Sequence, residues 1–267
     1  MKRTANRHSL RSAFISDLHL GSRGCRADRL LDFLNHIDVE QLFLVGDIVD
    51  IWSLKRSSYW PASHEAVLNK LLRMAGKGRR LVLVPGNHDS DLRAFASQRL
   101  GNIEVHRTYT HRTAEGRKLL LIHGDEFDGA LQCHPLLEPF GSQVYDFTIA
   151  LNHRIDRLRA SMGYPYWSLA GYLKQKASRA MQYVHAFEKA VVTEARTRRV
   201  DGVVCGHIHR AALGEIDGVL YGNDGDWVET CSAIVERNDG SLRLWHWPGQ
   251  GVPLADTAAL PAVGMVA

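Results

Sequence analysis

Short runs of aliphatic and β-branched residues alternate along the chain with longer stretches whose apolar positions recur every three to four residues. Ala13–Ser16, Gln41–Val45, Leu81–Val84, Lys118–Ile122 and Gly202–Cys205 are runs of strand length. Between them, Ala27–Ile37 places Leu30, Leu31, Leu34 and Ile37 on one helical face, and Ser63–Ala75 does the same with Val67, Leu71 and Met74. Ser63 is placed to cap the second helix. Strands alternating with amphipathic helices predict an α/β sheet protein. Val219–Tyr221, Ser232–Val235 and Leu242–Trp247 predict further strands in an antiparallel or mixed region. Beyond Pro248 the chain is rich in Gly, Ala and Pro, so 248–267 is expected to be a poorly ordered tail.

Residues 129–199 break the alternation. They lack a strand pattern, and three helical stretches, Leu136–Ala160, Tyr166–Ser178 and Met181–Arg199, predict a helical insertion between core segments 1–128 and 200–247. Residues 129–200 hold ten Lys or Arg against five Asp or Glu, so a balance of +5 sits here in a chain whose net charge is +4. Aromatic residues are interleaved with this charge. The segment reads either as a lid, with an apolar groove and a diphosphate held at Arg154, Arg157, Lys174 or Lys176, or as a solvated face over a helical core. No substrate-binding residue is assigned from it.

Composition narrows the class. The 267 residues suffice for one large α/β domain or two ordinary ones, and 45% hydrophobic against 23% charged residues excludes a disordered or fibrous chain. No apolar run approaches the roughly 20 residues that a spanning helix needs. The start MKRTANRHSLRSAFISDLHL meets Asp17 and His19 where a secretory signal needs an unbroken apolar core, so a cytoplasmic protein is expected. Cys25, Cys133, Cys205 and Cys231 are far apart and form no C-x-x-C pair, which fits reduced thiols. Nucleic acid is not an expected partner, since there is no dense basic stripe outside the insertion. The sequence leaves the oligomeric state open.

Polar motifs follow each of the five leading strand predictions: Asp17-Leu18-His19, Gly46-Asp47-Ile48-Val49-Asp50, Gly86-Asn87-His88-Asp89, His123-Gly124-Asp125 and Gly206-His207-Ile208-His209. Ligand sites in such proteins form at the carboxyl ends of strands, so these motifs are expected to converge. In extended backbone a spacing of two puts Asp17 with His19, and His207 with His209, on one face. Asp17, His19, Asp47, Asn87, His123, His207 and His209 then form a donor set of carboxylate, amide oxygen and imidazole without thiolate, suited to manganese, iron or zinc. Seven donors are too many for one ion that keeps an open position, so two divalent ions are expected, with Asp47 shared between them and a hydroxide as nucleophile. That arrangement implies hydrolysis of a phosphoester or phosphoanhydride. His88 is read as the group facing the leaving oxygen and Asp50 as its orienting partner. Asp89 and Ser90 are read as turn or capping residues, Asp125 as a residue orienting a ligand, and the nine remaining histidines as structural.

In this order, D-x-H, G-D-x-x-D, G-N-H-D, H-G and G-H-x-H resemble the calcineurin-like metallophosphoesterase superfamily, and the five blocks span Asp17 to His209. The resemblance implies a four-layer αββα sandwich and a dinuclear centre. It implies one ion held by Asp17, His19, Asp47 and His209, the other by Asp47, Asn87, His123 and His207, and His88 with Asp50 as the catalytic pair. The segment SDLHLGSRGCRAD, the helical insertion and YGNDGDWVE further resemble the bacterial branch of UDP-2,3-diacylglucosamine diphosphatases. That likeness implies a nucleotide-lipid substrate cut at its pyrophosphate, manganese as the usual metal, and peripheral contact with the cytoplasmic face of the inner membrane through the insertion. This chain departs from the branch at His88, where its characterised members carry arginine. A phosphodiesterase or phosphatase acting on a soluble phosphorylated metabolite is the alternative, and a non-catalytic metal-bound scaffold a further one.

Overall fold

The structure, a computed structural model, describes residues 7–128, 169–248, 253 and 255–258. Its strands are β1 (His8–Ile15), β2 (Ile37–Leu44), β3 (Arg80–Leu83), β4 (Arg99–Leu100), β5 (Ile103–Val105), β6 (Tyr109–Arg112), β7 (Lys118–Leu121), β8 (Gly202–Cys205), β9 (Ala212–Ile216), β10 (Val219–Asn223), β11 (Ser232–Glu236), β12 (Leu242–His246) and β13 (Ala255–Ala258). The helices are α1 (Ala27–His36), α2 (Ile51–Arg56), α3 (Ala62–Gly76) and α4 (Leu169–Thr197). The chain divides into two compact units, Met1–Phe127 with Lys189–Ala267, and Asp128–Glu188.

The first unit holds two sheets. The larger runs β13-β12-β11-β1-β2-β3-β5-β4 and the smaller β6-β7-β8-β10-β9. In the larger, β1, β2, β3 and β5 are parallel neighbours, and β11 lies antiparallel to β1. In the smaller, β8 is parallel to both β7 and β10. This is a mixed α/β fold with two sheets and helices.

The alternation of side chains along each strand explains why both faces of the larger sheet are covered. Ala13, Ile15, Leu42, Leu44, Leu81, Ala233, Val235 and Trp245 join the core that includes Leu30, Leu34, Val67 and Leu71 of α1 and α3. Their neighbours Phe14, Phe43, Val82, Ile234 and Leu244 point the other way and pack with Leu119, Leu121, Val204 and Leu220 of the smaller sheet. Phe14 and Phe43 stack with centroids 4.9 Å apart, a pairing that contributes about 0.5–1.5 kcal/mol beyond burial.

The registers set up the site. Ile15 pairs with Leu44 and Leu44 with Leu83, so β1, β2 and β3 end level along one edge of the larger sheet. Leu121 pairs with Val204, which aligns the ends of β7 and β8 in the smaller one. All five polar motifs begin within three residues of these ends.

Several expectations change. Ser63 does not cap α3: the cap position is Pro61, whose fixed backbone starts the helix at Ala62 and leaves Ser63 in the first turn. The separate helices expected at Tyr166–Ser178 and Met181–Arg199 are one helix, α4, because the Arg179-Ala180 junction contains no residue that breaks a helix. Ala255–Ala258, in the segment expected to be an unordered tail, pairs with β12 as an edge strand. The short strands β4, β5, β6 and β9 have too few alternating apolar positions to read as strands. The stretch Leu136–Ala160 lies outside the described residues. In the second unit, the Tyr183 hydroxyl donates to Asp128 at 2.7 Å.

Candidate metal centre

The loops leaving the strand ends are tied to one another through their backbones. Asp17 N donates to the Gly46 carbonyl at 3.0 Å, His19 N to Asp47 O at 3.0 Å and Asp50 N to Leu20 O at 2.8 Å, so the first two motifs form one unit. Asp17, His19, Asp47, His207 and His209 all have positive φ, between 49° and 71°. Residues with side chains occupy this left-handed region at a cost of order 1–3 kcal/mol each, and such strain clusters where a ligand is held. Gly46, at φ 93°, lets the second loop pass so close to His123 that a Cβ there would overlap its ring.

Asp89 joins the third motif to the second. Its Oδ2 accepts from Ile48 N at 2.8 Å and its Oδ1 from Gly86 N at 2.7 Å, so this buried residue is a loop tie and does not cap the following turn. Burial, and then the charge on Asp47, raise its carboxyl above the ordinary range.

The predicted donors from all five motifs come together. Asp17, His19 and His209 present ligand atoms within 4.8 Å of one another, as do Asp17, Asp47 and His123. His209 Nε2 is 3.1 Å from Asp17 Oδ1. Asp47 Oδ2 lies between the two groups, 3.9 Å from His19 Nε2 and 3.4 Å from His123 Nε2, while Asp47 Oδ1 accepts from His88 N at 2.8 Å. Asn87 Oδ1 is 3.2 Å from His123 Nε2. His207 stands beside this second group, its ring 5.2 Å from that of His123 and its backbone N donating to Asp17 Oδ2 at 2.9 Å.

His19 carries the observation that tests for a cation. Its Nε2 is buried without a hydrogen-bond partner among the described residues, and faces Asp17 Oδ1 at 3.8 Å and Asp47 Oδ2 at 3.9 Å. A buried nitrogen aimed at two carboxylates just beyond hydrogen-bond reach fits a bound ion. The charges agree. Burial opposes ionisation of Asp17, yet the imidazoles of His209, His123 and His19 hold it well below the carboxylate range. Burial likewise opposes charge on His123 and His209, and the aspartates hold them up to about 10 and about 9. The field that raises the buried His123 and the exposed His209 also favours divalent cations. The donor set therefore fits two divalent ions.

His88 Nδ1 is 3.0 Å from Asp50 Oδ1, and His19 Nδ1 is 3.6 Å from Asp50 Oδ2. Asp50 also caps α2 by accepting from Ser53 N at 2.7 Å. Burial would raise this carboxyl, but His19, His88 and Ser53 hold it well below the usual range. His88 belongs to a third close group with His19 and Asp47, and its ring lies 4.2 Å from that of the exposed Trp52. No periodicity singled out Trp52; its position two residues after Asp50 was the available signal. Asp125 departs from expectation. It takes a bidentate pair from Arg93 at 2.7 and 2.8 Å and orients no donor, because Arg93 on the turn after His88 reaches it first. Arg154 and Arg157 lie outside the described residues.

The calcineurin-like phosphoesterase family model matches residues 10–211. Among curated relatives, the UDP-2,3-diacylglucosamine hydrolase of Pectobacterium carotovorum is 27% identical over 234 residues, covering 83% of this chain and 92% of the relative. The protein of the same name from Xanthomonas campestris is 27% identical over 247 residues, 85% of this chain and 95% of the relative. Among solved structures, the phosphoesterase Yfce from E. coli aligns with a TM-score of 0.46 at 17% identity, covering 92% of this chain and 98% of that one.

Proposed function

This chain belongs to the calcineurin-like phosphoesterase family and is a phosphoester hydrolase; from that premise we propose that it uses two divalent ions to cleave the pyrophosphate of a nucleotide-linked lipid of the UDP-2,3-diacylglucosamine kind. Asp17, His19, Asp47 and His209 would hold one ion, and Asp47, Asn87, His123 and His207 the other. The observation that carries the metal assignment is the buried, unpartnered His19 Nε2 facing two carboxylates. Manganese is the metal we assign, with iron or zinc compatible with the same donors.

When bound, the ions supply an activated water and positive charge opposite the phosphoryl oxygens. The chain's own groups do the rest. Asp50 accepts from His88 Nδ1, which orients the ring; as an imidazolium, with a proton on each nitrogen, His88 would give the Nε2 proton to the leaving oxygen. Trp52 covers one face of that imidazole and restricts its swing. The substrate assignment is supported by the two relatives matched over more than four-fifths of the chain. Most of the expected insertion, 129–168, lies outside the described residues, and contact of that segment with the lipid or a membrane surface is part of this proposal. Among the described residues no helix is long and apolar enough to cross a membrane.

His88 favours a second reading. A histidine follows Asn87 as in general phosphoesterases, which points to a phosphodiester or phosphomonoester of a soluble metabolite. Metal analysis of the purified protein, with turnover of UDP-2,3-diacylglucosamine measured against nucleotide sugars and cyclic nucleotides, separates the two. Turnover of the lipid with little of the others is expected. Silence on the lipid with turnover of a soluble ester overturns the substrate assignment.

A further inference from the structure

Behind the metal centre lies a buried acid that the reaction above does not use. After β10 the chain turns through Asp224-Gly225-Asp226, and Asp224 is completely buried. The turn is held by its backbone: Asp224 N donates to Cys205 O at 3.0 Å, and Asp224 O accepts from the Ser232 hydroxyl at 2.8 Å. The carboxyl is served differently. Its Oδ1 lies 2.5 Å from Ser16 Oγ, and its Oδ2 is buried without a hydrogen-bond partner among the described residues. Asp226, two residues on, shows what a well-partnered carboxyl receives in the same turn, since its Oδ1 accepts from the backbone of Val228 at 2.7 Å and of Glu229 at 2.5 Å.

The Ser16 hydroxyl is shared. Besides Asp224 Oδ1 it meets Asp17 Oδ2 at 2.6 Å and Gly225 O at 3.2 Å. Ser16 precedes Asp17 at the end of β1, and a Cβ at Gly206 would overlap both side chains, so the contact has no slack. One hydroxyl has one proton, and three oxygens surround it. Were Asp17 and Asp224 both ionised, one carboxylate oxygen would face a hydroxyl lone pair at no more than 2.6 Å, and a second buried charge would carry an orphan oxygen. A proton on Asp224 Oδ1 removes both conflicts: the acid O–H donates to Ser16 Oγ, the hydroxyl donates to Asp17 Oδ2, and Asp224 Oδ2 becomes a carbonyl oxygen.

We propose that Asp224 is a neutral carboxylic acid which, through the Ser16 hydroxyl, positions Asp17 in the metal centre. The inference rests on the reading of Asp17 as a metal ligand. Burial, and after it the charge of Asp17, push the Asp224 carboxyl well above the ordinary range against the opposing Ser16 bond and His123. Asp224 is a positioning residue. It touches neither ion nor substrate, and it holds the ligand without adding a negative charge to a centre that already contains Asp17 and Asp47.

The test separates a neutral acid from an ionised one. Difference infrared spectra of the metal-free wild type against Asp224→Asn at neutral pH are expected to contain a protonated-carboxyl C=O band that the variant lacks. Manganese titration is expected to show about 10- to 100-fold weaker binding in Asp224→Ala, as loss of an outer partner of a ligand gives. Asp224→Asn should restore most of that affinity, since an amide N–H can donate where the acid O–H did. Absence of the band, or an Asn variant as impaired as the Ala variant, overturns the assignment. Should Asp224→Ala not fold, Ser16→Ala breaks the same relay and the infrared comparison still decides. If wild-type protein binds no manganese, the metal reading fails separately, because the band is measured without metal.

Discussion

Two buried clusters of histidine and carboxylate in this protein look alike in composition and differ in how they are satisfied. Between the two sheets, Glu236 accepts from Arg11 at 2.9 Å and from Ala114 N at 2.7 Å with one oxygen, and meets His111 Nε2 at 2.7 Å with the other. Arg11 is on β1, Glu236 on β11 and His111 on β6, so this cluster staples the larger sheet to the smaller. At the strand ends, by contrast, His19 Nε2 has no hydrogen-bond partner among the described residues and five residues sit in left-handed backbone. Burial and charge are common to both. Left-handed backbone at the candidate donors, and a buried nitrogen facing two carboxylates beyond hydrogen-bond reach, mark the second, and they are what distinguish a site built for a ligand from one built for the fold.

The contrast makes predictions. Asp47→Ala should remove bound metal and lower turnover by roughly 1,000-fold or more, since the shared ligand serves both ions. Metal content and kcat measured on the same preparation check this, and retained metal would show that the inter-sheet cluster and the strand-end cluster do not differ as described. Glu236→Ala should do the reverse. It leaves the buried His111 and the half-buried Arg11 without their partner, and should cost about 3 kcal/mol of stability in denaturant titration while metal binding at low temperature persists.

His88→Ala is expected to keep both metals and lower kcat about 100-fold, the usual contribution of a general acid. Metal loss in that variant would move His88 among the ligands. The smallest effect is in pH. Burial opposes it, but the His111 bond and the Ala114 N–H hold the Glu236 carboxyl below its ordinary 4.5. A carboxyl depressed in the folded state stabilises fully above that value, and its contribution fades as pH falls through it. Melting temperature should therefore decline below about pH 4.5, and Glu236→Gln should flatten that limb relative to wild type.

Much of the centre was legible because its donors sit in short motifs after strands, where both the residue type and the preceding glycine leave a trace. The core strands were equally readable, since β1, β2, β3, β7 and β8 are apolar on both faces. β6 was not, because Tyr-Thr-His-Arg reads as polar until His111 is seen to pair with Glu236, 125 residues away. Asp125 was misread for a related reason. Sequence adjacency to His123 suggested a supporting role, and only the position of Arg93 across the loop decides its partner. Asp224 sits in the YGNDGDWVE run, but its role was not readable there, since it depends on Ser16, separated from it by 208 positions.

The sequence by itself determined the core strands, helices α1 and α3 and the hydrolytic class, and it marked the candidate donors, because periodicity and ligand chemistry are local properties of residue type and spacing. Tertiary structure alone decided how protons and charges are shared: that Asp50 serves His19 and His88 together, that Asp89 ties two loops, and that one Ser16 hydroxyl stands between two buried aspartates. Those facts follow from desolvation and contact between distant segments, and no residue carries them in its own identity.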